Sequence, residues 1–326
     1  MHNFQRQRHY LKTCIREFFN ERGYLEVESP VVVITPGSED HLRYFGTKWQ
    51  DYQNVSHQLW LRSSPEIHMK QILAQGEDRI YQIAPCFRNH GEHSQWHHPE
   101  FSMLEWYERG LSFPEFIQQI ELFLRFTSER FAKMNHSRPL AVPKEVPRIS
   151  VYEAFAQVGI ELLDLDAELP HKAQQANVLS INQNDDFFSA FFKVLLEKIE
   201  PILAKEDVAI LYDYPPSQAA LAEVEGGVAK RVEFYVRGVE LSNGFKECLS
   251  AEENARRFAK TDEYRRSHGY EAPGQDRLFF ESLRQDLGSA CGNAVGLDRW
   301  LALLLGHTSI HQVIPFRSSD LYRHST

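Results

Sequence analysis

The chain has 326 residues, of which 42% are hydrophobic and 25% charged. That is the balance of an ordinary soluble globular protein with one large core or two modest ones. A formal net charge of −9 argues against a general nucleic-acid binder, whose phosphate contacts need a basic surface, and leaves only a local basic patch open. The N-terminus has no apolar leader, no apolar run reaches membrane length, and Cys14, Cys86, Cys248 and Cys291 form no C-x-x-C pair. A cytoplasmic protein with reduced thiols is expected, with neither zinc site nor disulfide framework.

Residues 5–22 predict an amphipathic helix, because Tyr10, Leu11, Cys14, Ile15, Phe18 and Phe19 recur at helical spacing. Gly23 ends it, and a strand closing on Pro30 follows. A short strand at 59–62 then runs into Ser64-Pro65-Glu66, where proline at a first helical position and an adjacent acid are helix-start chemistry. Glu66 is therefore either a helix-start acid or a ligand carboxylate at a strand's end.

The segment 80–88 is a strand ending in arginine, and 101–107 returns as a second strand after a polar, histidine-rich loop. Period two sets Phe101, Met103, Glu105 and Tyr107 on one face. An aromatic ring, an acid and a phenol beside Arg88 make a poor hydrophobic core but a good pocket for a purine, a phosphate and an amine. The histidines of the loop lack the spacing of a zinc site.

A helix is expected over 112–135, then a proline-marked linker at 139–147, then a helical, acidic stretch to about residue 205. A buried-looking strand spans 208–214. Next, apolar and polar residues alternate on both sides of Arg237-Gly238, the pattern of a tight hairpin. Pairing Val236 with Val239 sets Glu233 opposite Ser242 and leaves Glu233 and Glu240 on one face, roughly 7–8 Å apart. Two carboxylates so placed can share Mg²⁺ that also holds a polyphosphate. Gly244, between Asn243 and Glu247, marks a bend or a ligand approach.

A charged helix follows at about 251–268, its Arg256, Arg257, Lys260, Arg265 and Arg266 read as a solvated face balanced by acids. The same five are the only dense basic candidate for docking an acidic partner. Last comes the glycine-punctuated strand Cys291-Gly-Asn-Ala-Val-Gly-Leu-Asp-Arg299, leading into an apolar helix. Gly292 and Gly296 leave room for a ligand against the backbone, and Arg299 at a helix start suits an anion or a stacked base.

Together these stretches resemble the three signature motifs of class II aminoacyl-tRNA synthetases of the lysyl branch: the helix and strand ending at Pro30, the segment from Phe87-Arg88 to Tyr107, and Gly292 through Arg299. The lysyl signature resembles Glu240-Leu-Ser-Asn-Gly-Phe-Lys-Glu247. Motif 1 begins almost at Met1, and with Ser64-Pro65-Glu66, Pro216-Ser-Gln-Ala and Ala294 the layout is similar to the elongation factor P lysine ligases. The resemblance implies an α+β fold with a mixed, mostly antiparallel sheet flanked by helices. It implies one catalytic domain over 1–326 with a helical insertion at about 110–205, assembled as a homodimer.

The resemblance also implies roles. Arg88 holds the α-phosphate and the substrate carboxylate, while Phe101 and Arg299 sandwich adenine. Asn89, His90, His97, His98, Leu241 and Gly296 complete the ATP site, and Glu233 and Glu240 carry Mg²⁺. Glu247 and Tyr107 receive the far amine of (R)-β-lysine or lysine. Ser64, Pro65, Glu66, Glu105 and Asn243 line its other end, and Ala294 shapes the pocket. The implied reaction is ATP-dependent adenylation of the amino acid and transfer to a lysine of elongation factor P, without stable tRNA binding. Alternatives are a synthetase-like enzyme adenylating α-lysine for another acceptor, or an inactive paralogue serving as a binding subunit. His90 and Gly91 stand where the family has glutamate, and His98 where it has asparagine.

Overall fold

The computed structural model describes residues 3–89, 94–285 and 287–317; His90 therefore lies outside the described residues. Helix α1 (Asn3–Asn20) buries Leu11, Cys14, Ile15, Phe18 and Phe19 completely. Its Phe18 ring meets Phe123 edge-on at 5.3 Å. Gly23, at φ +72°, turns the chain out of the helix. The strand β1 (Leu25–Glu26) follows. Strands β2 (Val32–Val33), β3 (Phe45–Gln50) and β4 (Ser56–Leu61) then form a small antiparallel sheet of their own, in the order β2-β4-β3.

Helix α2 (Glu66–Leu73) begins one residue after Pro65, which takes the capping position. Strands β5 (Arg79–Phe87) and β6 (Glu100–Arg109) pair antiparallel across the histidine-rich loop. Helix α3 (Phe113–Asn135) starts in a capping box of Ser112 and Glu115, which satisfies two otherwise orphaned donors. Strand β7 (Arg148–Ser150) leads into α4 (Val151–Gln157), α5 (Leu169–Gln175) and α6 (Phe187–Val194); a π turn at Leu195–Ile199 joins α6 to α7 (Glu200–Leu203). These helices pack Phe155, Phe187, Phe191 and Ile199 against Ala209, Leu211 and Tyr235, making a second core at one end of the sheet.

The remaining elements are β8 (Val208–Tyr214), β9 (Val224–Glu225), β10 (Val228–Val236), β11 (Val239–Lys246), α8 (Ala251–Ser267), α9 (Arg277–Leu283), β12 (Ala290–Gly296) and α10 (Leu297–Leu304). Among the described residues the main sheet runs β1-β5-β6-β12-β11-β10-β8-β7, with β9 on the edge of β10. Only its two end pairs, β1 with β5 and β7 with β8, are parallel. The fold is α+β: α1, α3 and α10 cover one face through Trp106, Phe116, Phe234 and Trp300. The opposite face carries the polar residues described below.

The β10–β11 hairpin turns at Arg237 (φ +51°) and Gly238 (φ +77°), as a two-residue loop of this twist requires. Its register differs from the expected one. Tyr235 faces Glu240 and Val236 faces Val239, but a bulge follows, and Glu233 lies opposite Asn243, not Ser242. The extra residue is Leu241, whose side chain is buried in the helix-side core. Burying an apolar chain there costs one ladder position and keeps Glu233 and Glu240 on the same face.

Candidate active site

One transverse row of the main sheet organises the site. Gln82, Glu105, Ala294, Asn243 and Glu233 are successive partners across β5, β6, β12, β11 and β10. Residues directly opposite in adjacent strands share a face, so all five point to the same side. Glu105 and Glu233 are three strands apart, roughly 14 Å. That span matches an extended aminoacyl group joined to a phosphate.

At the Glu105 end, buried polar groups are gathered in one cluster. Glu105 is 1% exposed and accepts from Ser64 Oγ at 2.6 Å and from the Tyr107 hydroxyl at 3.0 Å. Ser64 Oγ also accepts from the Glu66 amide at 3.0 Å, so the turn that starts α2 fixes both carboxylates at once. Lys70, one helical turn on, is fully buried, with its Nζ 2.7 Å from Glu66 Oε1 and 2.6 Å from Glu247 Oε2. The contact to Glu247 is an ion pair by distance and lies off the line of a hydrogen bond.

Burial, reinforced by Glu66, pushes the Glu105 carboxyl up to about 8. Burial likewise raises Glu247, outweighing the pull of Lys70. Burial alone would lower Lys70, but Glu247 and Glu66 hold its proton firmly. Tyr107 is raised well above its ordinary range by burial and by Glu105. Three carboxyl groups around one ammonium are thus poised to receive further positive charge.

The expected division of the amine-binding residues into two ends does not match the contacts. Tyr107 bonds directly to Glu105, and Asn243 is instead turned to Arg231. Gly292 also has a different cause from the expected ligand approach: a Cβ there would lie 2.2 Å from the Tyr107 ring and 2.5 Å from Glu247 Oε1. Gly244 pairs in register with both neighbouring strands, opposite Val232 and Asn293. Its missing side chain accommodates Phe116, 2.9 Å from where a Cβ would stand, on the helix-covered face.

Toward the other end, Arg88 leaves β5 with its guanidinium 5.2 Å from the centre of the Phe101 ring, and its Nε is buried without a hydrogen-bond partner. Asn89 is tied by its backbone amide to the Arg43 carbonyl at 2.9 Å. Arg299, in the first turn of α10, donates to the Glu240 carbonyl at 2.6 Å and the Trp96 carbonyl at 3.3 Å, and meets His97 Nε2 at 3.0 Å. His97 Nδ1 in turn meets Ser94 Oγ at 2.6 Å, and His98 Nδ1 faces the Glu100 carbonyl at 2.6 Å. Arg299 therefore pins the loop between β5 and β6 to β11. A Cβ at Gly296 would stand 3.3 Å from the Arg299 side chain, so glycine gives that arginine its room.

Glu233 is 4% exposed, and its oxygens accept from Arg231 at 2.6 Å and Tyr235 at 2.8 Å. Glu240 is more open, its side chain 41% exposed with Arg299 Nη1 3.8 Å away. Burial of its inner side and the charge of Glu233 raise its pKa, while Arg299 opposes them. Two carboxylates on one face, one of them open, have the hard oxygen donors that would hold a Mg²⁺ ion. The Leu241 side chain lies in the core on the far side, so only its backbone is available to a nucleotide.

Two residues of the site were not singled out by sequence. Lys70 carries a signal, its spacing of four from Glu66 on a helix. Arg231 carries another, its period-two match with Glu233 on a strand. The basic helix also corrects an expectation. Arg265 of α8 is 1% exposed and donates to the carbonyls of Glu39, Leu42 and Glu271, so it is a structural clamp. Arg256 and Arg257 both pair with Glu253, which leaves no dense basic face.

Comparison with known proteins identifies the family of the chain. The family of tRNA synthetases class II (D, K and N) matches residues 1–320. A protein of Buchnera aphidicola subsp. Acyrthosiphon pisum named elongation factor P–(R)-β-lysine ligase is 33% identical over 313 residues, covering 93% of this chain and 91% of its own. Proteins of the same name from Histophilus somni and Pasteurella multocida are each 34% identical over 309 residues, with the same coverage. The chain belongs to the class II tRNA synthetases (D, K and N), in one family with the proteins named elongation factor P–(R)-β-lysine ligase.

Proposed function

We propose that this protein activates (R)-β-lysine with ATP as an aminoacyl-adenylate and transfers it to a lysine side chain of elongation factor P. The observation that carries the reading is the row from Glu105 to Glu233, with an amine-receiving cluster of carboxyls at one end and a paired-carboxylate site at the other. The relatives' shared name supplies the acceptor and the β-amino acid.

The amino acid lies along the row with its ammonium groups among Glu66, Glu105, Tyr107 and Glu247. Ser64 and Pro65 hold the start of α2 in place, Ala294 sets the pocket's floor, and Asn243 lies next to the carboxylate end. Arg88 brings its guanidinium to the substrate carboxylate and the α-phosphate. Adenine stacks between Phe101 and Arg299, beside Asn89, His97, His98, Gly296 and the Leu241 backbone. Mg²⁺ bound by Glu233 and Glu240 supplies neutralisation of the triphosphate charge.

The carboxylate attacks the α-phosphorus in line and pyrophosphate leaves. The acceptor amine then attacks the acyl carbon, an amide forms and AMP leaves. Neither step needs a strong acid or base, so positioning and charge neutralisation carry the rate. The enzyme works in the cytoplasm as a homodimer, its motif 1 segment exposing Leu25 at 47% and the residues just after it exposing Val32 and Ile34 at 45% and 58%. A monomer by light scattering at micromolar protein overturns the dimer.

The test incubates the enzyme with ATP, (R)-β-lysine and either elongation factor P or bulk tRNA, and weighs the products. A mass increase on elongation factor P is expected. Aminoacylated tRNA with unmodified factor, or equal use of α-lysine, points to the synthetase-like reading instead.

A further inference from the structure

The amine end of the site holds a positive charge of its own. Lys70 is 0% exposed, and its ammonium touches two of the carboxylates proposed to receive substrate amines, at 2.7 and 2.6 Å. No solvent competes for it. The other buried cation nearby, Arg62, directs its donors to the carbonyls of Ser29, Pro30 and Pro85 and to Ser29 Oγ. It does not neutralise the cluster by contact.

We propose that Lys70 is a resident counter-ion that holds Glu66 and Glu247 in place and leaves the pocket two uncompensated carboxylates, which selects amino acids bearing two ammonium groups. This rests on the reading of the cluster as the amine-binding end. Glu66 and Glu247 touch Lys70 directly, and Glu105 is joined to the start of the same helix through Ser64. Glu66, Glu105 and Glu247 can carry three negative charges, and Lys70 answers one. A diamino acid answers the other two. A monoamino acid of the same length leaves one buried carboxylate without a counter-charge, which is heavily penalised in a water-excluded site.

The empty pocket avoids that penalty by keeping protons. Glu105, forced upward by burial and by Glu66, is protonated near neutrality, and burial raises Glu247 in the same direction. Each ammonium that enters displaces one proton. Lys70 itself keeps its proton, because the Glu66 carboxylate touches it in the empty pocket and Glu247 adds its charge once substrate has displaced the proton there. The resident charge is therefore permanent, and the two exchangeable ones belong to the substrate.

The experiment measures pyrophosphate exchange for wild type, Lys70→Met, Lys70→Ala and Lys70→Arg. The substrates are β-lysine, lysine, norleucine (no side-chain amine) and 6-aminohexanoate (no α-amine). Wild type should discriminate against both monoamino acids by about 10⁴-fold, the ratio typical when a buried polar group is left unpaired. Lys70→Met should raise KM for the diamino acid by about 10²-fold with little change in kcat, as expected for lost uniform binding. In a Lys70→Ala enzyme, whose truncated side chain vacates the space of the lysine stem, ethylammonium should restore at least about tenfold of the loss, and bulky tetramethylammonium should not.

A folded Lys70→Met enzyme with unchanged KM overturns the assignment. So does a loss that ethylammonium leaves untouched, because that marks a purely structural lysine. Where the methionine variant fails to fold, Lys70→Arg decides: it keeps the charge and should keep the diamino preference at a raised KM, and equal use of norleucine overturns the proposal. Wild type that exchanges with monoamino acids but with no diamino acid overturns the functional reading itself.

Discussion

Arg231 Nη2 lies 2.6 Å from Glu233 Oε1, and the same guanidinium reaches Asn243 Oδ1 at 3.2 Å and the Gln218 carbonyl at 2.9 Å. It also stacks over Tyr214, 4.4 Å from the ring centre. One side chain thus ties a proposed metal ligand, a residue of the amino-acid row and the turn after β8. Arg231→Met leaves Glu233 buried beside no cation, which should cost about 3–5 kcal/mol of stability. Arg231→Lys keeps the charge but loses the planar fork, and should recover only part of it. Urea denaturation reads both; a loss below about 1 kcal/mol for the methionine variant means the pair is not a stabilising tie.

Glu240→Gln should fold normally, because Arg299 holds this position through the backbone carbonyl at 2.6 Å. Its effect should fall on chemistry. With one charged ligand gone from the site that offsets triphosphate charge, pyrophosphate exchange should drop by about 10²–10³-fold, the scale of losing one electrostatic stabiliser. Exchange near the wild-type rate with an unchanged melting temperature would falsify the paired-carboxylate reading.

Ala294 stands between Asn243 and Glu105 in the row, partly buried against Ala84, Cys86 and Met103. Its methyl group is therefore part of the floor along which the substrate lies. Ala294→Gly should shift selection toward α-lysine by about 10–200-fold, the range available to one methyl in a pocket. The ratio of kcat/KM for the two lysine isomers is the measurement, and an unchanged ratio removes Ala294 from the pocket.

The raised carboxyls make a signed prediction about pH. Glu105 binds its proton up to about 8 in the fold, against an ordinary value of 4.5. Between those limits the folded chain holds a proton that the unfolded chain has released, so this group's contribution to stability falls as pH rises from about 5 to about 8 and is flat above. The slope per group is bounded at about 1.4 kcal/mol per pH unit. Substrate ammonium needs the ionised form, so KM for the diamino acid should fall over the same window. Urea midpoints from pH 5 to 9 test the first part, and Glu105→Gln should flatten the profile; a profile that it leaves unaltered assigns the slope to other groups.

Much of this protein can be read from local sequence, because local patterns fix the backbone. The alternation around Arg237-Gly238 dictates a hairpin, since both turn residues need positive φ and glycine supplies one without strain. Period two on β6 puts Phe101, Met103, Glu105 and Tyr107 on one face, and helical spacing makes α1 and α3 bury their aromatic stripes. Residue types at the ends of those elements also point to a nucleotide and an amine. Which groups meet is decided by contacts between distant segments. Lys70 joins Glu66, four residues back, to Glu247, just past the end of β11. The bulge that pairs Glu233 with Asn243 depends on Leu241 finding the helix-side core. Arg265 sits in a helix whose sequence reads as solvated, and only the loop carrying Glu39 and Leu42 turns it into a buried clamp. A charge declares its sign in the sequence; its burial, its partner and therefore its pKa are set by chain segments that only the tertiary fold brings alongside.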